Sequence, residues 1–180
     1  MNDEHIYSSL DFDPANPHGI GRFRMEHPDH YDLQNFLRKH ARKSVRSSLA
    51  RTYVACRADA PTVAVGYVSL LCAQVSLDGA YLNAEKPGAD RYPAYPAVKI
   101  ARLAVSDNAQ RKGVGRGLLD LAMGVTLAQI RPHVGCRFVI LDALAGSVDF
   151  YRRNGFTLLD TEENRRSPMQ VMFLDLGQSA

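Results

Sequence analysis

The stretch Gln110 to Gly117 reads QRKGVGRG and follows the apolar run Val98 to Val105, VKIARLAV, after the four residues SDNA. Beyond it Val114, Leu118, Leu121, Ala122 and Val125 recur at the spacing of a helix packed on a sheet. A strand that runs through a glycine-rich turn into a helix aims unpaired backbone N–H groups and the positive end of the helix dipole at one spot. That spot binds anions. The glycines let a ligand approach the main chain without a Cβ in the way, and Arg111, Lys112 and Arg116 add charge.

Two familiar nucleotide motifs do not fit. A dinucleotide fingerprint would need glycine three positions after Gly115, where Leu118 stands. A P-loop needs a Gly-Lys pair followed by Ser or Thr, and nothing after Gly113 supplies it. What remains is Gln110-x-x-Gly113-x-Gly115.

The 180 residues suffice for one domain with a full core and predict a single unit, 1–180. Hydrophobic residues at 46% and charged ones at 23% exclude a disordered chain. A net charge of +3 selects no partner, but its distribution does. Leu33 to Ala58 holds no acidic residue and carries Arg38, Lys39, Arg42, Lys43, Arg46, Arg51 and Arg57. Such a block is either a solvated helix face or a landing strip for phosphates. Cys56, Cys72 and Cys136 are few, widely spaced and set among apolar residues, as buried free thiols would be; neither a disulfide framework nor a metal site is indicated. The acidic start MNDEHIYSSLDFDP lacks the order of a signal peptide, so a cytoplasmic protein is expected. Residues 60–77 carry no charge, yet Pro61, Gly66 and several polar residues interrupt them. They predict a buried strand followed by a turn or second strand, not a membrane span.

The first two dozen residues predict irregular chain. Leu33, Phe36, Leu37, Ala41 and Val45 predict a helix from Asp29 to about Val45, capped by Asp29, with the cations on its other faces. Thr52–Cys56 and Thr62–Leu71 read as an antiparallel pair, and Asp78–Pro96 as a loop. Val98–Val105 reads as a central strand, Arg137–Leu141 as another, Val148–Arg153 as a short helix stopped by Asn154-Gly155, and Met169–Leu176 as a closing strand.

With the glycine loop in place, IARLAV before it and RFVILDALAGSVDFYRRNGF after it, the sequence resembles the GNAT superfamily of acetyltransferases, with order and separations agreeing over 98–156. The resemblance implies an α/β (α+β) fold: a central mixed, mostly antiparallel sheet flanked by helices, with a splayed pair of parallel strands holding the cofactor. It implies acetyl-CoA as that cofactor. Its pyrophosphate would lie on the backbone of Arg111, Lys112, Gly113, Val114, Gly115 and Arg116, and its pantetheine arm along Leu103 and Val105, with Ala104 between them facing the other way. Tyr151 of FYRRNGF would be the catalytic residue, protonating the departing sulfur, as an acyl transfer requires. Asp107 and Asp142 are carboxylates within reach of a base's role, though each reads first as a turn or cap residue. Arg102, in an apolar strand, reads either as half of a buried ion pair or as a phosphate or carboxylate contact.

The segment from Leu33 through Leu70 resembles a narrower branch, the acetyltransferase toxins of bacterial toxin–antitoxin pairs, which acetylate the amino group of aminoacyl-tRNA. The resemblance rests on the basic helix, on Ala50-Arg51-Thr52-Tyr53-Val54 and on Gly66 to Leu70. It implies RNA contacts by Arg38, Arg42, Lys43, Arg46 and Arg102, a small DNA-binding antitoxin as partner, and a homodimer. A cation-rich, acid-free helix suits an RNA backbone. A small-molecule or protein N-acetyltransferase and a catalytically silent coenzyme A-binding domain remain open as alternatives.

Overall fold

A computed structural model of the chain describes residues 5–10, 19–76 and 94–178. The described strands follow the order β1-β2-β3-β4-β5-β7-β6. They are β1 (His5–Ser9), β2 (Arg51–Arg57), β3 (Ala60–Val75), β4 (Tyr95–Val105), β5 (Phe138–Leu144), β6 (Thr157–Leu158) and β7 (Met169–Asp175). Two compact units divide the chain, one of Met1–Leu71 with Ala101–Val125 and one of Cys72–Ile100 with Thr126–Ala180.

In the first unit β1, β2 and β3 are antiparallel, with Ser9 opposite Tyr53 and Thr52 opposite Ser69. The strand β1 corrects the expectation of irregular chain at the start. HIYSS has no hydrophobic run to announce it, because an edge strand needs only backbone pairing on one side. The charge-free segment 60–77 forms, over its described part, one 16-residue strand with no break. No helix among the described residues is long and apolar enough to cross a membrane. Of the expected loop Asp78–Pro96, residues 78–93 lie outside the described residues, and Tyr95 and Pro96 already belong to β4.

The basic helix is three contiguous stretches: α1 (Tyr31–Asn35), a π-helical turn (Phe36–His40) and α2 (Ala41–Arg46). Its buried residues explain the wide turn. Leu37, Ala41 and Val45 are four apart, and each such step drifts about 40° around an ideal α-helix of 3.6 residues per turn. A turn closed by i→i+5 bonds takes up that drift and keeps all three on the core. Asp29 does not cap the helix. Its own N–H donates to Nδ1 of His27 at the head of a short 3-10 turn (Pro28–His30), and α1 begins after it with no side-chain cap. Leu10, Phe23, Phe36, Leu37, Val54 and Tyr67 lie in the unit's core cluster. The helix α3 (Val114–Val125) buries Val114, Leu118, Leu119, Ala122 and Val125, so that Leu119 rather than Leu121 completes the stripe.

In the second unit β4 and β5 pair in parallel over Ala97–Ile100 and Phe138–Leu141. The ladder ends there, while β4 runs five residues further, to Val105. β7 pairs antiparallel with β5 and with the short β6. The helix α4 (Val148–Arg153) stops at Asn154, and Gly155 follows with φ +88°, the left-handed conformation expected of it. The helix α5 (Glu162–Arg166), which nothing in the sequence pattern announces, is tied to β7 by Asn164. Its amide donates to the carbonyls of Leu159 and Val171 and accepts the Val171 N–H at 2.7 Å. Cys56 and Cys136 are buried free thiols as expected, but Cys72 is exposed, because β3 is covered less toward its end.

Candidate active site

The glycine loop links β4 to α3. After a 3-10 turn at Asp107–Ala109 the chain takes positive φ at Arg111 (61°) and at Gly113 (82°) and enters α3 at Val114. The N–H of Gly117 donates to the Gly113 carbonyl at 2.9 Å as α3 begins. Gly113 has open space around it, and its left-handed φ is the reason for glycine there. Gly117 serves packing, not the ligand: a Cβ on it would strike the hydroxyl and ring of Tyr7 on β1. Arg111 and Lys112 are exposed. Arg116 is exposed too and paired with Asp120 at 2.8 Å, one helical turn on. The open space at Gly113 and the exposed Arg111 and Lys112 fit a pyrophosphate. Next to the loop a cavity of about 160 Å³ opens at the end of β4, lined by Arg22, Arg24, Val63, Val65, Ser106 and Asn108 among others.

Leu103 and Val105 are half-buried and Ala104 between them is buried, the alternation of a strand with one face in the core. All three lie in the part of β4 beyond the parallel ladder. The two candidate carboxylates are committed elsewhere. Asp107 accepts the backbone N–H of Glu26 at 2.5 Å and the amide of Gln110 at 2.9 Å, which makes it a turn residue as expected. Asp142 neither ends its strand nor caps anything: β5 continues to Leu144, and Asp142 pairs with Lys99 of β4 at 2.5 Å.

Tyr151 lies in α4, in the second unit, 7% exposed, with the ring of Phe156 edge-on at 5.8 Å. Its hydroxyl makes no hydrogen bond among the described residues. Burial pushes the phenol from 10.0 up to about 12, so at neutral pH it holds its proton. Tyr67 of β3 is pushed up further by burial, against the opposing charge of Arg102. A folded-state value above the unfolded one means the folded chain binds more protons, so stability falls as pH rises. We therefore expect the part of the alkaline fall in stability that belongs to Tyr151 to lie between pH 10 and about 12 and to amount to roughly 3 kcal/mol. Tyr151→Phe should lose that share of the fall; an alkaline drop of unchanged size would refute the assignment.

On the basic helix Phe36, Leu37, Ala41 and Val45 are buried, while Arg38, Lys39, His40, Lys43 and Arg46 are exposed. Arg42 differs: it is half-buried, and its Nε and Nη2 are buried with no hydrogen-bond partner among the described residues. Arg102 takes a position that neither expectation named. It makes no ion pair with a described residue; its guanidinium lies over the ring of Phe36, 4.0 Å from the centroid. The first unit thus brings together the loop, Leu103–Val105, Arg102 and the basic helix, and Tyr151 belongs to the second. Phe36 and Tyr67, which Arg102 and the basic helix meet, lie in the core cluster of the first unit.

Residues 49–158, more than half of the chain, match the acetyltransferase (GNAT) domain family. The chain belongs to the GNAT acetyltransferases. It is an acetyl-CoA-dependent N-acetyltransferase, and the matched span includes the glycine loop and β4. Solved structures share its fold. The chain is 20% identical to a bacterial toxin, with TM-score 0.81 over 98% of this chain and 93% of that one. It is 23% identical to AtaT complexed with acetyl-methionyl-tRNAfMet, with TM-score 0.79 over 98% and 97%. It is 23% identical, with TM-score 0.74 over 98% and 96%, to a Tyr-to-Phe mutant of the AtaT toxin bound to the C-terminus of the antitoxin AtaR and acetyl-CoA.

Proposed function

We propose that this GNAT enzyme acetylates the amino group of an aminoacyl-tRNA, as a translation-blocking toxin held in check by an antitoxin. The observation that carries the reading is the basic helix. A 16-residue helical segment, 31–46, turns its apolar positions inward and presents Arg38, Lys39, Lys43 and Arg46 to solvent without one acid from residue 33 on. A solvated face would carry both signs; one sign only is the footprint of a polyanion. The AtaT structures, one holding acetyl-methionyl-tRNAfMet and another an antitoxin C-terminus, support the same reading.

Acetyl-CoA supplies a thioester-activated acetyl group. In the proposed mechanism the backbone of 111–116 would hold its pyrophosphate, and the backbone of Leu103 and Val105 would align its arm. Tyr151 would hold a proton at its hydroxyl for the departing sulfur, since burial keeps the phenol protonated. Neither Asp107 nor Asp142 acts as base, since both are engaged. The α-amino group of an aminoacyl ester is less basic than a lysine amine and more of it is neutral at pH 7, so the reaction proceeds without one. In this reading the whole chain, 1–180, acts as one catalytic domain, a cytoplasmic homodimer with a small DNA-binding antitoxin as partner.

The test is acetyl transfer to charged tRNA by the Arg42→Gln, Lys43→Gln, Arg46→Gln triple variant. We expect kcat/KM to fall at least about 30-fold near physiological salt, and the logarithmic salt slope to shrink by about two to three, one for each phosphate left without its cation. Transfer to a lysine peptide but not to charged tRNA, or a triple variant with the parent salt slope, would remove the RNA reading.

A further inference from the structure

We infer that Arg102 is a positioning residue: acting through the ring of Phe36, it locks the basic helix to the strand that aligns the acetyl donor. The inference rests on the aminoacyl-tRNA reading above and deepens it. Arg102 stands on β4 one residue before Leu103, and Phe36 opens the π turn that carries the exposed Arg38, Lys39 and His40. The guanidinium 4.0 Å above the Phe36 ring is the first layer of a column. Tyr67 is stacked on Phe36 at 6.0 Å and 26°. Phe23 meets Tyr67 edge-on at 5.7 Å and 76°. The Tyr67 hydroxyl then donates to the carbonyl of Leu33 at 2.8 Å, which returns the column to the helix it started from. Phe36 is 8% exposed and Tyr67 is fully buried. The helix is therefore held at two points, Leu33 by a hydrogen bond and Phe36 by a stacked cation.

The choice of partner matters for the chemistry. A carboxylate beside Arg102 would cancel its charge and add a negative group near an incoming polyanion. The face of an aromatic ring holds a guanidinium by its quadrupole and adds no anion. A flat guanidinium stacks on a ring where an ammonium does not, which is why arginine stands there. Whatever moves Phe36 moves the two cations, Arg38 and Lys39, that follow it in the same turn. Because transfer requires the amine and the acetyl carbon to meet in one geometry, a shift of about 1 Å costs on the order of 100-fold in rate while leaving the attraction between charges nearly unchanged.

Arg102→Met, Phe36→Leu, the double variant and Arg102→Lys, assayed with charged tRNA, test this. We expect kcat to fall about 30- to 100-fold in both Arg102→Met and Phe36→Leu. KM for tRNA should stay within about 3-fold, with the salt slope and acetyl-CoA affinity as in the parent. The double variant should lose no more than the worse single one, as coupled residues do, and Arg102→Lys should recover part of the loss. A raised KM with a salt slope smaller by about one in Arg102→Met, and a silent Phe36→Leu, would mean that Arg102 touches a phosphate itself and would overturn the inference. Amide exchange over residues 36–46 supplies an arm that needs no substrate. Both single variants should speed exchange there, and unchanged exchange overturns the lock. If the parent enzyme does not acetylate charged tRNA, the RNA reading fails while the exchange arm still decides whether Arg102 holds the helix.

Discussion

Replacing Tyr151 by Phe is expected to lower kcat by about 10²- to 10³-fold, the range of a lost general acid, while acetyl-CoA affinity changes less than about 2-fold. The substitution removes one oxygen from a ring that is 7% exposed and packed edge-on against Phe156 at 5.8 Å. The ring's packing survives, so the loss isolates the hydroxyl. No hydrogen bond of that hydroxyl to a described residue is broken, and neutral-pH stability should therefore match the parent. The phenol, raised to about 12 by burial, keeps its proton over the whole working range. The pH profile of kcat should accordingly show no alkaline limb from Tyr151 below about pH 11. Single-turnover transfer from acetyl-CoA, followed beside calorimetric binding, separates the two quantities. A variant with the parent rate would show that solvent or the leaving thiol itself supplies the proton, and would return Tyr151 to the role of a core residue.

The sequence was informative wherever local chemistry decided structure. The strand–loop–helix from Val98 to Val125 was legible because each part has its own signal: an apolar run, glycines where φ turns positive, then a helical stripe. The stop at Asn154-Gly155 was legible for the same reason. The edge strand β1 was not, since its pairing with β2 uses backbone groups that any residue carries. The π turn left a trace in the four-residue spacing of Leu37, Ala41 and Val45, but the same spacing also fits a bent α-helix. Arg102 could not be placed at all from sequence, because its partner Phe36 stands 66 positions away and reads as ordinary core. Asp142 was misplaced for a related reason: that β5 continues past it, and that Lys99 lies opposite, are both tertiary facts.

Gly66→Val is expected to cost about 1–3 kcal/mol of stability and, in the molecules that fold, to weaken acetyl-CoA binding by about 10-fold or more. A Cβ on Gly66 would stand 3.0 Å from Leu118 Cδ1, 3.0 Å from Val114 Cγ1 and 3.2 Å from the Ala104 carbonyl. Val114 and Leu118 are the first two buried residues of α3, at 1% and 0% exposure, and have no room to retreat. The strand β3 can therefore accept a side chain at 66 only if the start of α3 lifts, and that start carries Gly113 to Arg116. A change on a strand outside the loop thereby reaches the cofactor through packing alone. Val114→Ala in the Gly66→Val background should relieve part of the crowding, so the two substitutions should cost less together than their sum. Urea unfolding of the four proteins measures the coupling, and calorimetry with acetyl-CoA measures its effect on the loop. Parent affinity in Gly66→Val would show that the helix start is not what holds the pyrophosphate, and additive costs would show that Gly66 and Val114 do not touch.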